Sequence, residues 1–213
     1  MAKWIFGIFI VLLFPIAAQA QTDKHASIGA SVGAHQYSDN DRFQHGVGIS
    51  FLYRVSRHTG GQNGWSWGPS VSLDLTGVDY HTDTGGDDVN LGRLKTIPVM
   101  VGYGPGYRHN RTKIGLTLEA GASFNKFSIG PDGRAAYDRV GTPLENVDVK
   151  NSFIAKPSAG LWYDLNGRFG LHTGLSYFYD RPKASITAGG ATTTSTWNAD
   201  HFGLSFGAVY GLF

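Results

Sequence analysis

The chain has 213 residues, 18 basic against 16 acidic, with 16% charged, 41% hydrophobic, 30 glycines and no cysteine. A soluble domain carries about a quarter of its residues as charges, and a nucleic-acid binder shows a basic excess, so this composition argues against both. The lack of cysteine excludes disulfides and a lipid-modified cysteine.

Residues 1–20 read as a secretory signal peptide: Lys3 supplies the positive start, 4–16 an apolar run, and Ala18-Gln19-Ala20 the small-residue cleavage pattern. The apolar run falls short of the roughly 20 residues that span a bilayer. Cleavage is expected before Gln21, leaving one domain over 21–213 with 17 basic and 16 acidic residues. The longest later apolar stretches, 97–101 and 177–179, are too short for a membrane helix, so any insertion must use strands.

Period-two alternation recurs eight times along the mature chain. In the first segment Ala26, Ile28, Ala30, Val32 and Ala34 oppose Ser27, Gly29, Ser31 and Gly33. In the second, Phe43, Val47, Ile49, Phe51 and Tyr53 oppose Gln44, Gly46, Gly48, Ser50 and Arg54, and in the third Trp65, Trp67, Val71, Leu73 and Leu75 oppose Ser66, Gly68, Ser70, Ser72 and Asp74. The fourth sets Ile97, Val99, Val101 and Tyr103 against Thr96, Met100 and Gly102; the fifth sets Ile114, Leu116, Leu118, Ala120, Ala122 and Phe124 against Gly115, Thr117, Glu119, Gly121, Ser123 and Asn125.

The sixth opposes Phe153, Ala155, Ala159, Leu161 and Tyr163 to Lys156, Ser158, Gly160, Trp162 and Asp164. The seventh opposes Phe169, Leu171, Leu175, Tyr177 and Tyr179 to Gly170, His172, Gly174, Ser176 and Asp180. The eighth ends the chain, with Phe202, Leu204, Phe206, Ala208, Tyr210 and Leu212 opposite His201, Gly203, Ser205, Gly207, Val209 and Gly211.

Alternation does not say which face points inward, but the polar face does. It is mostly glycine and serine, which suits a narrow interior filled by small side chains better than a water-facing surface. The greasy set carries aromatics near its ends, as interfacial girdles require. Connectors at 56–64, 104–112 and 164–168 are short, the last holding the turn signal Asn166-Gly167. Those at 76–92, 127–152 and 181–199 are long, with 38–42 an exception. The expected fold is therefore all-β, an eight-stranded antiparallel transmembrane up-and-down β-barrel with short turns at one end and long loops at the other. Pro69, Pro98 and Pro157 fall inside strands, where bulges or outward-turned donor positions are expected.

Leu94-Lys95-Thr96-Ile97-Pro98-Val99 resembles a strand common in the small porin-like, OmpA- and OmpX-like outer-membrane β-barrels of Gram-negative bacteria, and the hairpin 159–182 resembles their penultimate hairpin. Ser205, Gly207, Tyr210 and Leu212 fit the last-strand pattern by which the barrel assembly machinery recognises such proteins, although the terminal Phe213 falls one residue out of register. The resemblance implies an outer-membrane location and a monomeric barrel among lipid and lipopolysaccharide. No cofactor, metal or nucleic acid is expected.

Glu119 and Lys156 share the polar faces of adjacent segments, with Arg54, Asp74, Asp164 and His172 on the same side. Such charges must pair in a narrow lumen, either as a structural polar plug or as a proton or solute path. Arg93, Lys95, Lys126, Arg181 and Lys183 are placed at the long-loop rim, where they could meet lipopolysaccharide phosphates or remain solvated. Asp79, Asp83, Asp87 and Asp88 crowd a loop beside Gly85-Gly86 without the ligand order of a calcium loop.

Some small barrels of this kind modify lipid A through a His-x-Ser pair on a late strand. Here His172-Thr173-Gly174 and His201-Phe202-Gly203 lack the serine, and the one His-x-Ser, His25-Ala26-Ser27, lies at the start on lumen parity. The expectation is a non-enzymatic barrel with a structural or interaction role through its long loops. The alternatives are a small channel or carrier for hydrophobic solutes, a lipid A-modifying enzyme, or a secreted lipocalin-like barrel.

Overall fold

The computed structural model describes residues 24–59, 63–84 and 87–212. The predicted signal peptide, Gly85-Gly86 and Phe213 lie outside the described residues. The elements are β1 (Lys24–Tyr37), β2 (Gly46–Thr59), β3 (Gly64–Thr84), β4 (Asp87–His109), β5 (Thr112–Ile129), α1 (Pro131–Arg139), β6 (Leu144–Val149), β7 (Ser152–Asp164), β8 (Phe169–Asp180), β9 (Lys183–Ala188), β10 (Ala191–Thr196) and β11 (His201–Gly211). Eight strands close a ring in the order β1-β11-β8-β7-β5-β4-β3-β2, and β10-β9-β6 form a separate three-stranded sheet.

The ring closes where the last strand meets the first, in unbroken antiparallel register from Ser27 opposite Gly211 to Tyr37 opposite His201. Leu212 adds a donor to the Ala26 carbonyl at 2.8 Å. Within the ring, closure leaves no strand with an open edge, the condition for sheet to exist in hydrocarbon.

Side chains on the outer face of the ring are large and apolar, and they are exposed: Leu118 is 63%, Val101 64% and Leu204 61% accessible. A continuous belt of this kind would aggregate in water, so its solvent is lipid. Trp65, Trp67 and Tyr107 gather at the turn end of the belt, with the Trp65 and Tyr107 rings 5.3 Å apart. Tyr177 and Phe202 pair at 4.9 Å toward the opposite end.

Above this belt the polarity of the strands reverses. On β3, inward Ser66, Ser70, Ser72, Asp74 and Thr76 give way to buried Val78 and Tyr80, while outward Val71, Leu73 and Leu75 give way to Gly77 and Asp79. On β4 the outward face changes from Ile97 to Lys95 and Arg93 and the inward face from Thr96 to Leu94; on β5 Phe124 is followed outward by Lys126, and Ser123 is followed inward by Asn125 and then Phe127. The same backbone passes from a lipid-facing barrel into a water-facing one with an apolar core.

The expected long loop at 76–92 is thus mostly strand. β3 and β4 run 21 and 23 residues, about twice the roughly 9–11 a membrane crossing needs, and stand above the belt as a hairpin. The segment after β5 holds α1 and β6, and 181–199 holds the β9–β10 hairpin, so these connections pack as a cap. Phe43, expected on the lipid face, instead sits between β1 and β2, 1% exposed and 5.3 Å from Tyr37 in the cap core.

The strand prolines do not cause bulges. Pairing of β2 with β3 skips Val55–Pro69 and Ser56–Gly68 and resumes with register unchanged; Pro98 interrupts β3–β4, and Pro157 β7–β8, in the same way. A missing N–H is absorbed by a short gap toward one neighbour. At Gly68 and Gly104, each just before a proline, an added Cβ would run into the Val55 and Leu116 carbonyl oxygens, so only glycine lets the facing strands stay close. Asn166 forms its turn through its side chain: Oδ1 accepts from the N–H groups of Arg168 at 2.9 Å and Phe169 at 2.8 Å, and Gly167 has no positive φ.

A charge on the outer belt should cost far more than one at the rim. Leu204→Arg is expected to destabilise the folded protein by about 2–4 kcal/mol in a bilayer, measured by urea titration in vesicles, with Ser205→Asn on the lumen face changing stability by less than half as much.

Candidate functional site

Inside the barrel a packed middle layer separates a vestibule at the turn end from the cap at the other. At mid-height Lys156 on β7 places Nζ 2.6 Å from Glu119 of β5 and 3.1 Å from Asp74 of β3. Ser70 and Ser72 of β3 donate to the two Glu119 oxygens at 2.9 and 3.0 Å. One ammonium and two carboxylates are thus tied across the lumen, all three side chains at most 10% exposed. A buried charge cluster persists only where each member is matched by partners like these.

Arg54 does not join the carboxylates. Its guanidinium, 4% exposed, donates to the Gly104 carbonyl at 3.0 Å and the Thr117 hydroxyl at 3.2 Å, and Nε has no partner. The rest of the cross-section is aromatic and apolar. Phe178 lies 5.3 Å from Lys156 Nζ, stacks on His201 at 4.3 Å and meets His35 edge-on, while Met100 and Ile154 pack against it. What remains at the centre is a cavity of about 80 Å³, room for water and little else.

Toward the turn end the lumen widens into a vestibule of about 430 Å³. Asp164, expected near Lys156, is found here paired with Arg108. His172 also stands apart from the carboxylates, packed on Trp162 at 4.9 Å. Lys113 and Arg54 approach the same indole to 5.9 and 5.6 Å. His25 and Ser27 line this vestibule rather than the lipid face.

The opposite end is sealed by the cap. Trp197 stacks on Tyr80 at 4.0 Å, Phe43 and Phe127 meet it edge-on, and Leu144, Val147 and Val149 of β6 complete the core. Burial pushes the Tyr80 phenol above its ordinary pKa, opposed by Arg42. Arg181 binds the buried Asp200 carboxylate at 3.0 Å, and Asp200 also accepts from the Tyr177 hydroxyl at 3.2 Å and the Asp180 N–H at 2.9 Å.

The other rim cations lie at the polarity reversal. Lys95 of β4 and Lys126 of β5 are directly opposite in register and exposed, Arg93 lies 3.9 Å from Asp79, and Lys183 is exposed on β9. Among the acids of that hairpin Asp88 meets His81 at 3.3 Å, away from Asp79. At the closing strand Ser205 and Gly207 face the lumen and Tyr210 and Leu212 the outside.

Of the six lumen residues read from sequence, the structure joins three, Lys156, Glu119 and Asp74, into one cluster. The serines that complete it, the His35–His201–Phe178 layer and the vestibule cations Arg108 and Lys113 were not picked out. Inward parity was the available signal for the serines and histidines, whereas Arg108 and Lys113 sit in or beside the 104–112 connector, where β4 and β5 run further than the alternation showed.

No protein-family profile and no curated protein matches the chain. Solved structures do. The outer membrane protein OprG from Pseudomonas aeruginosa is similar with a TM-score of 0.68 at 12% identity, covering 89% of this chain and 96% of that one. The attachment invasion locus protein Ail of Yersinia pestis, in complex with the heparin analogue sucrose octasulfate, gives 0.49 at 16% identity with 89% and 97% covered, and outer membrane protein W of E. coli gives 0.42 at 14% with 89% and 98%. The ring closure, the outward apolar belt and the OprG likeness make this chain, in fold, a small eight-stranded outer-membrane β-barrel of the Gram-negative type.

Proposed function

We propose that this is a non-enzymatic, non-conducting barrel whose lumen is closed by side chains and whose cap, on the extracellular side, is its working surface for a structural or interaction role. The observation that carries this reading is the Lys156–Asp74–Glu119 cluster spanning the lumen from β3 to β7, with Phe178 and Met100 filling the remaining section. The orientation follows from the short turns at one end and the elaborated connections at the other. Supporting a non-catalytic role, His172 packs on an indole and His201 on Phe178, neither beside a serine facing lipid.

The closed ring offers no edge to a second copy, which favours a monomer. Recognition by the assembly machinery would use the outward residues Tyr210 and Leu212, with the small inward residues Ser205 and Gly207 setting the register. The rival reading, a channel or carrier for hydrophobic solutes, needs the cluster to open.

A second role is favoured by the rim. Like charges directly opposite on adjacent strands repel, yet Lys95 faces Lys126 on the outer surface just above Ile97 and Phe124. A phosphate between them would relieve the repulsion. On this reading Arg93, Lys95, Lys126, Arg181 and Lys183 hold the phosphates of lipopolysaccharide.

Three outcomes test these roles. The purified protein in planar bilayers is expected to show no stepwise conductance; discrete openings would contradict the closed lumen. Lys156→Met strands two buried carboxylates and should cost about 3–5 kcal/mol in urea unfolding, whereas Lys156→Met combined with Asp74→Asn and Glu119→Gln should recover most of that loss. Changing Arg93, Lys95, Lys126, Arg181 and Lys183 together to Gln should reduce co-purified lipopolysaccharide severalfold, and an unchanged yield would remove the second role.

A further inference from the structure

The vestibule at the turn end has an imbalance of charge that the fold does not use. Arg54, Arg108, Lys113 and Arg168 all line it, and among its described lining residues Asp164 is the only acid. That acid is already taken by Arg108. Arg54 bonds only to neutral oxygens and keeps a buried Nε without a partner, and Lys113 points over the Trp162 ring; Arg168 borders the mouth with its guanidinium turned to the outward Tyr210 hydroxyl at 3.3 Å.

Repulsion among cations held in a concavity is unfavourable, and a buried guanidinium donor without an acceptor costs further. Three strands nevertheless hold these groups together: β2 carries Arg54, β4 Arg108 and β5 Lys113. Register places Arg108 and Lys113 side by side, and the walls behind them are rigid sheet. The arrangement becomes favourable once an anion sits among them, since guanidinium and ammonium groups bind oxyanions through short charge-assisted bonds.

We propose that the vestibule is a binding site for a small oxyanion carrying two or more negative charges, phosphate or carboxylate in kind. A volume of about 430 Å³ admits inorganic phosphate or a di- or tricarboxylate and excludes a polymer chain. The lumen above it narrows to the central cavity, so the site is a dead-end pocket reached from the turn end. Arg54, at the floor, faces both spaces.

The proposal is independent of whether the lumen conducts, and its test reads binding alone. The mature protein, refolded in zwitterionic detergent, is titrated calorimetrically at low ionic strength with inorganic phosphate and separately with citrate. Saturable one-to-one binding of either anion is expected, weakening as salt is raised. Lys113→Gln and Arg108→Gln should each weaken it about tenfold, the loss of one charge-assisted bond, while Arg134→Gln on the exposed face of α1 should leave it unchanged.

Binding of phosphate alone or citrate alone would assign the class of anion, and binding of both would make the site a general oxyanion pocket. Absence of saturable binding, wild-type affinity in both vestibule variants, or an equal loss in Arg134→Gln would overturn the proposal. Heat-modifiable gel mobility checks that each variant is a closed barrel, and because the Arg108 side chain is 31% exposed, Arg108→Gln keeps the test decisive if Lys113→Gln fails to fold.

Discussion

Every strand of this barrel that leaves the membrane must change which side of it is apolar. In hydrocarbon the backbone groups have to be paired within the ring and the large apolar side chains face outward; in water the same side chains must turn inward to be buried. β3, β4 and β5 carry both solutions on one continuous backbone, with the change at Leu75 to Gly77, Ile97 to Lys95, and Phe124 to Lys126. That level fixes where the belt ends, where the rim cations stand and where the cap core begins.

The two interiors created by this reversal are held by different physics. The cap is a conventional apolar core built around the packed rings of Trp197, Tyr80 and Phe43. The lumen within the membrane is too narrow for large side chains on every strand, so glycine and serine dominate and the few long residues reach across it. Lys156 can be held there because Asp74 and Glu119 both bond its ammonium and two serines satisfy Glu119, although Asp74 Oδ1 is left without a partner. Such a cluster contributes little net stability compared with an apolar filling, but it is costly to disrupt.

Alternation over eight segments revealed the strands, because the period of two is set by backbone geometry; the glycine and serine content of the polar face and the connector lengths pointed to which side faces inward and to a closed ring. Alternation failed where polarity inverted. Val78, Tyr80, Leu91 and Leu94 keep the lumen parity of β3 and β4 or follow the shift at Tyr80 and His81, but they are apolar where lumen residues had been polar, so 76–92 looked like a loop. Phe43 misled for the opposite reason: an aromatic next to a strand fits a girdle as well as a core. Glu119 and Lys156 could be brought together because they stand opposite each other on adjacent strands; Asp74 joins them across the lumen from β3, whereas Asp164 and His172 share the face but lie nearer the turn end. Parity fixes the side of a strand, and height along the barrel depends on a stagger that no single segment shows.

The natural absence of cysteine makes the reversal directly measurable. Single cysteines at Leu73, Leu75, Asp79 and Tyr80, spin-labelled in protein reconstituted in lipid vesicles, report whether each position meets lipid or water through collisions with oxygen or a water-soluble nickel chelate. The account predicts that labels at Leu73 and Leu75 favour oxygen, that the label at Asp79 favours the chelate, and that the label at Tyr80 is reached poorly by both. Labels at Asp79 and Leu75 with the same lipid signature, or a freely water-accessible Tyr80 position, would contradict it.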